Sequence, residues 1–309
     1  MSYSRGRRIT ALELGATTIS QGGGKVEATM DSPGVHELES LCFELTDLCP
    51  LACGHCSVSA GPGRDQVLPF GVFQRLVDEF REKGCTEIVL AGGEPFALDD
   101  FDSYASYANR RGAAVSVYTS GNIFGGRGGK SIAGSTFAHY RHSGVTRLVF
   151  SVYAAEARVH ELITHVSGSF DATCDSVKSA KAVGLECEFN FVPMKPNWSH
   201  LIPVLQLGAR LNIGKVNCLR FVPQGRGWGN RHPLDLSVRE QELFLDEVVH
   251  ARAEGYEGML RLGGSFETLA PALLDGPTKA KRSLHVTTSG AILLSADRGN
   301  GAAPVVHLS

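Results

Sequence analysis

The chain has 309 residues, 43% of them hydrophobic and 20% charged, which is enough for one large α/β domain with an appendage or for two domains. Thirty basic side chains against 32 acidic ones leave a net charge of −2, so no overall basic field draws it to nucleic acid or to an anionic membrane surface. No run of 18 apolar residues offers a membrane span, the N-terminus lacks the apolar core of a secretory signal, and the expectation is a cytoplasmic protein.

Residues 1–35 contain Ser4-Arg-Gly-Arg-Arg8 and Gln21-Gly-Gly-Gly-Lys25 and few large apolar side chains, so they read as a mobile tail. A transit peptide is the alternative, weakened by Glu13, Glu27 and Asp31. From His36 onward short apolar runs alternate with amphipathic stretches, the rhythm of repeated strand–helix units. Strands are expected at 41–45, 87–91, 114–118, 147–153, 186–192 and 216–222, with helices at 70–83, 101–111 and 171–183. Six such units fit an α/β fold, a partial (β/α)6 TIM-like barrel over residues 36–235, with functional residues where strands end. Residues 236–309 form a small C-terminal α+β extension, expected as a helix at 240–254 and a hairpin of 284–287 with 291–294.

The most specific stretch is Cys49-Pro-Leu-Ala-Cys53-Gly-His-Cys56, directly after the first strand. Eight cysteines in a chain with no export signal argue for metal binding rather than a disulfide framework, and three of them stand here. A closed structural zinc site wants four ligands, and no second Cys-x-x-Cys follows. Three thiolates suit an iron–sulfur cluster with one iron left open. The weaker readings are a partial zinc site and reduced core cysteines. After the second strand, Gly92-Gly93-Glu94-Pro95 offers two glycines for close backbone approach and a carboxylate for an ammonium.

The two motifs in this order resemble the radical S-adenosylmethionine (radical SAM) superfamily, closest to its molybdenum-cofactor cyclase and peptide-maturase group, over roughly residues 38–235. The resemblance implies that Cys49, Cys53 and Cys56 ligate three irons of a four-iron four-sulfur cluster and that S-adenosylmethionine chelates the fourth. It implies that Gly92, Gly93, Glu94 and Pro95 hold the methionyl amine, that His55 lies near the adenine, and that Ser120 and Asn122 of the Thr-Ser-Gly-Asn turn lie near the carboxylate. Ser151 and Asn190 match residues that approach the ribose, whereas Thr164 stands where relatives often carry an Arg. It further implies reductive cleavage to a 5′-deoxyadenosyl radical, hydrogen abstraction from substrate, and an electron donor such as flavodoxin or ferredoxin. A peptide or natural-product substrate is favoured over a small sugar, nucleoside or amino-acid metabolite. A non-catalytic iron–sulfur sensor or scaffold is the alternative of another class; Glu94, Ser151 and Asn190 argue against it, since a sensor needs no S-adenosylmethionine pocket.

Strand parity extends this reading. If Ser151 faces the barrel interior, so do Arg147, Val149 and Tyr153; if Asn190 does, so do Glu186 and Glu188. A charged Arg220 is costly against an apolar helix layer, so Arg220 is expected to point inward with Cys218 below it; the alternative is that Arg220 sits at a strand end in solvent and Cys218 is ordinary core. Tyr153, Cys218 and Arg220 are therefore the candidate catalytic residues. The loop Phe124-Gly-Gly-Arg-Gly-Gly-Lys-Ser131 nearly matches a phosphate-binding loop, but Phe124 occupies the first glycine position and should block the cradle. In the extension, residues 261–266 and the hairpin resemble the framework of an auxiliary-cluster domain, with Pro277 and Ser295 at the expected ligand positions and no cysteine after Cys218. A single cluster is expected.

Overall fold

The computed structural model describes residues 16–17, 38–125, 128–263, 266, 269–273, 282–294 and 307–308. Seven parallel strands stand side by side in chain order: β1 (Leu38–Thr46), β2 (Glu87–Gly92), β3 (Ala114–Thr119), β4 (Val145–Ser151), β5 (Glu186–Phe191), β6 (Lys215–Cys218) and β7 (Leu260–Leu262). A hairpin of β8 (Arg282–Val286) and β9 (Ile292–Leu294) completes the nine-stranded sheet, β8 lying parallel to β1. Helices α1 (Phe70–Glu82), α2 (Phe101–Arg110) and α3 (Gly134–His142) connect β1 to β4. Next come α4 (Ala157–Thr164), α5 (Ser169–Ala182) and α6 (Leu201–Arg210), and after β6 the short α7 (Arg226–Gly229) and α8 (Arg231–Leu234) and the longer α9 (Val238–Ala251).

Period two along each strand separates two faces. Leu41, Phe43 and Leu45 of β1, Ile88 and Leu90 of β2, Val115 and Val117 of β3, Leu148 and Phe150 of β4, and Phe189 and Phe191 of β5 join one core with the helices. From α1 that core takes Phe73, Leu76, Val77 and Phe80, spaced along one helix face. Each such side chain contributes about 1.5–3 kcal/mol by leaving water. The opposite face carries Cys42, Val89 and Ala91 as a separate small cluster, and beyond them polar residues. Glu44, Tyr118, Ser151, Asn190 and Leu219 all line one cavity, so the sheet curls around that face.

At the end where the strands begin, the enclosed polar groups satisfy one another. Arg147 of β4 bonds to the Glu87 carboxylate of β2, donates to Ser116 Oγ of β3 at 3.0 Å and lies 3.5 Å from Glu188 of β5. Asn217 Nδ2 of β6 donates to Glu188 Oε2 at 2.9 Å. This ionic plug closes the barrel below the cavity.

Several elements differ from the sequence reading. β4 runs two residues earlier than expected and β6 stops at Cys218 rather than Val222. Helices α3, α4, α6, α7 and α8 and strand β7 were not placed from the sequence. Helix α9 begins at Val238 because Ser237 and Glu240 form a reciprocal capping box, and its regular turns end at Ala251, before Gly255 at φ 96°. The hairpin belongs to the barrel sheet, since β8 docks on β1. Pro277, Ser295 and the expected tail lie outside the described residues, apart from Ala16–Thr17, which pairs antiparallel with His307–Leu308.

Candidate active site

The loop after β1 is held by backbone bonds from several directions. Cys49 N donates to Gly61 O at 3.2 Å, and Ala52 N and Gly54 N donate to Thr164 O and Ile163 O, each at 3.1 Å. The last carbonyls of α4, which have no partner inside their own helix, are thereby satisfied by the cysteine loop. Gly93 N donates to Thr46 O at 2.6 Å and Glu94 N to Leu48 O at 2.8 Å, so the Gly-Gly-Glu turn lies directly on the loop's entry. Gly92 has φ 120°, and a Cβ there would come within 2.4 Å of Thr46 O; one on Gly93 would come within 2.2 Å of Leu48 O. Only glycine lets these two backbones meet.

Glu94 is fully buried and faces away from solvent. Its carboxylate accepts from Thr119 Oγ1 at 2.7 Å, Ser120 N at 2.8 Å, Ser120 Oγ at 2.6 Å and Phe96 N at 3.3 Å. Burial raises its pKa while these bonds oppose the rise. The glutamate thus ties the end of β2 to the turn after β3. It is absent from the cavity wall, where a direct hold on an ammonium was expected, because its acceptor sites are engaged by that turn.

The cavity, about 340 Å³, opens at the ends of the strands. Its wall carries Cys49, Cys53, His55 and Cys56 from the loop, Gly92 and Gly93 from the glycine turn, Ser120, Ser151 with Tyr153, and Asn190. Ser151 and Asn190 are register partners on β4 and β5, which is why they arrive together. The His55 ring meets Tyr153 edge-on at 4.7 Å, and Tyr153 packs 5.5 Å from buried His160. Burial, reinforced by the Arg226 charge, holds His55 down at about 4, so its imidazole is neutral.

Burial also raises the thiols, Cys49 strongly and Cys53 to about 12, with repulsion from neighbouring cysteines adding to it. Arg226 pulls Cys53 the other way. Crowded buried thiols become thiolates only when bound cations compensate, which is the condition an iron–sulfur cluster provides, so the donor set fits one. Among the described residues no three His, Cys, Asp or Glu side chains stand close enough to hold a single metal ion. A cluster places each thiol on a different iron, so that spacing does not conflict with it.

Other expected site residues are placed elsewhere. Asn122 is fully buried and spends its amide on Ser120 O, Thr173 Oγ1 and Ser169 O, tying the turn to α5 rather than facing the cavity. Pro95 is buried at the start of a 3-10 turn. Arg220 does reach the cavity wall, but Cys218 does not. Cys218 is fully buried in the helix-side core, and Asn217, the residue before it on β6, takes the inner face. Parity fails between them because the ladder ends at Cys218, after which Leu219, Arg220, Phe221 and Val222 all touch the cavity from irregular backbone. The sequence reading overlooked Glu44, Tyr118 and His285. Tyr118 is 38% exposed, yet that exposure is to the cavity, and burial raises its pKa far above a free phenol's. His285 Nδ1 of β8 stands 3.7 Å from the Glu44 carboxylate. A Glu inside the apolar run Leu41–Leu45 was the available signal for Glu44; Tyr118 follows Ser116 at period two.

The family model described as the radical SAM superfamily matches residues 43–207, more than half of the chain. The chain belongs to the radical SAM superfamily. That superfamily uses an iron–sulfur cluster and S-adenosylmethionine. The AdoMet-dependent heme synthase of Oleidesulfovibrio alaskensis is 26% identical over 190 residues, covering 60% of this chain and 46% of its own. Mycofactocin maturase MftC of Mycobacterium tuberculosis is 25% identical over 261 residues, 83% of this chain and 61% of the relative. The chain spans about half the length of the heme synthases it matches. Among solved structures, Streptococcus suis SuiB bound to S-adenosylmethionine superposes with a TM-score of 0.66 at 17% identity, covering 86% of this chain and 62% of that one. Native anSMEcpe with bound AdoMet gives 0.60 at 14% identity over 82% of this chain and 73% of that one. These likenesses show the partial TIM-barrel fold. No described helix is long and apolar enough to cross a membrane.

Proposed function

We propose that the chain is a radical SAM enzyme that modifies a peptide, with Cys49, Cys53 and Cys56 holding one four-iron four-sulfur cluster at the cavity mouth. The observation that carries the reading is the single cavity wall shared by these cysteines with Gly92, Gly93, Ser120, Ser151 and Asn190. When bound, the cluster supplies the electron that splits S-adenosylmethionine into methionine and a 5′-deoxyadenosyl radical, which takes a hydrogen atom from substrate. This chain's residues bind and orient. The exposed backbone at Gly92 and Gly93 would receive the amine, and Ser120 would serve the carboxylate only by turning its hydroxyl away from Glu94, to which it now donates. Ser151 and Asn190 reach the ribose, and neutral His55, packed on Tyr153, flanks the adenine.

A peptide substrate is favoured by two neighbours: SuiB, also solved bound to precursor peptide SuiA, and the relative named as the mycofactocin maturase. Tyr118, Arg220 and the Glu44–His285 pair form the wall left for substrate. A donor of flavodoxin or ferredoxin type would reduce the cluster, in the cytoplasm.

The test is anaerobic incubation of the reconstituted protein with dithionite and S-adenosylmethionine, followed by addition of short peptides encoded beside its gene. The expected result is 5′-deoxyadenosine, with faster release and a mass change in one peptide. Release stimulated by small metabolites and by none of the peptides would replace the substrate class, and no 5′-deoxyadenosine at all would remove the activity.

A further inference from the structure

The segment that leaves β6 does not simply lead to α9; it is laid across the cysteine loop. Gly225, at φ 52°, sits where a Cβ would come within 2.4 Å of Ser57 O, and Gly227 where one would come within 2.9 Å of His55 O. Between these two glycines stands Arg226. Its backbone N donates to Cys56 O at 3.0 Å. Its guanidinium donates from Nη1 to Cys53 O at 2.8 Å, and from Nη2 to Ala60 O at 2.5 Å and Ser59 O at 3.3 Å. One helical turn later Asn230 Nδ2 donates to Gly54 O at 2.9 Å. Carbonyls from Cys53 to Ala60 thus converge on one strap, mostly on one side chain.

A rigid, planar, permanently charged fork is what such convergence requires. A lysine ammonium is a point charge on a flexible stem and cannot reproduce this fan of bonds. The charge matters as well as the shape. With Nη1 at 2.8 Å from Cys53 O, the guanidinium places its positive charge against the loop that carries Cys53 and Cys56. Reduction adds negative charge to a group already bound by three thiolates, so a fixed positive charge beside Cys53 stabilises the reduced form.

We propose that Arg226 is the positioning residue of the cluster site: it fixes the shape of the loop from Cys53 to Ala60 before any iron binds, and its charge raises the reduction potential of the cluster held there. The second half of this assignment rests on the cluster reading above; the first half does not. Arg226 acts through the loop and takes no part in the cavity wall.

The experiment compares wild type, R226Q and R226K in two states. In iron-free protein, hydrogen exchange is followed at the amides of residues 53–61, with strands β4 and β5 as the internal standard of folding. The expectation for R226Q is at least tenfold faster exchange in the loop and unchanged exchange in the strands. In anaerobically reconstituted protein, the midpoint potential of R226Q should move to a more negative value, while R226K stays near wild type in potential but resembles R226Q in loop exchange. Wild-type loop exchange in R226Q or in R226K overturns the positioning role, and an unshifted potential in R226Q overturns the electrostatic one. Should R226Q lose protection in the strands as well, R226K alone decides: faster loop exchange supports the role and wild-type exchange ends it. Loss of iron from every form, wild type included, would count against the cluster reading and leave the exchange result standing.

Discussion

The two ends of the barrel handle the same problem, polar groups enclosed by a sheet, in opposite ways. At the closed end Arg147, Glu87, Glu188, Ser116 and Asn217 pair with one another across five adjacent strands. At the open end the pairing is between backbone segments distant in sequence, and the side chains Ser151, Asn190, Tyr118 and Glu44 are left bordering the cavity. The first arrangement stabilises the fold and needs no ligand. The second spends its backbone bonds on shaping a loop and turns these side chains toward the cavity. Substitutions at the closed end should therefore alter stability without altering iron, and substitutions of the three loop cysteines the reverse.

The largest expected effect is at the open end. Cys49→Ala, Cys53→Ala or Cys56→Ala should each abolish the cluster and S-adenosylmethionine cleavage, because two thiolates cannot hold three irons, while thermal unfolding of the iron-free protein changes little. Wild-type cleavage in any one of the three would break the comparison. At the closed end, Arg147→Ala leaves Glu87 and Glu188 enclosed without their counter-charge and should cost about 3–5 kcal/mol in denaturant unfolding, with iron binding retained by the fraction that folds.

Much of the core was legible from sequence, because buried strands flanked by glycine announce themselves through period two and length; at the closed end parity placed Arg147 and Glu188, but not Glu87, Ser116 or Asn217. The three longer overlooked helices did not announce themselves. Helix α3 buries only Phe137 and shows no apolar stripe; α4 is eight residues long and buries His160 and Thr164; α6 has an apolar face but carries Pro203 and Gly208 within its ten residues, which read as breakers. At the site, Cys49, Cys53, Cys56, Gly92 and Gly93 are contiguous motifs and were readable. Arg226 was not, since nothing local ties it to a loop some 170 residues earlier. Cys218 was misplaced because parity was carried past the point where the ladder stops. Glu94 was singled out for an ammonium from its motif, and only the fold reveals that Thr119 and Ser120 come to meet its carboxylate.

A smaller effect should separate the ends by pH. His160 is buried, its Nδ1 accepts from Tyr153 N at 3.4 Å, and burial, with nearby His55 adding, holds its pKa at about 4 against 6.5 when exposed. The folded chain therefore binds fewer protons than the unfolded one between those values, so stability falls as pH drops from 6.5 toward 4, by about 3 kcal/mol from this residue. His160→Asn should flatten that limb of the pH–stability curve; an unchanged slope would mean that His160 charges without penalty. The smallest effect belongs to Glu94→Ala, which orphans the donors of Thr119 and Ser120. It should lower stability by about 1–3 kcal/mol and weaken S-adenosylmethionine binding while iron is retained. Unchanged affinity would show that the turn holds its shape unaided.

The most direct test of the account is electron paramagnetic resonance of the anaerobically reconstituted, dithionite-reduced protein before and after S-adenosylmethionine is added. The account predicts about four irons per chain and one reduced-cluster signal, whose shape changes on addition because three cysteine ligands would leave the fourth iron open to S-adenosylmethionine. A signal indifferent to S-adenosylmethionine, or one that survives replacement of Cys49, Cys53 and Cys56 together, would contradict it.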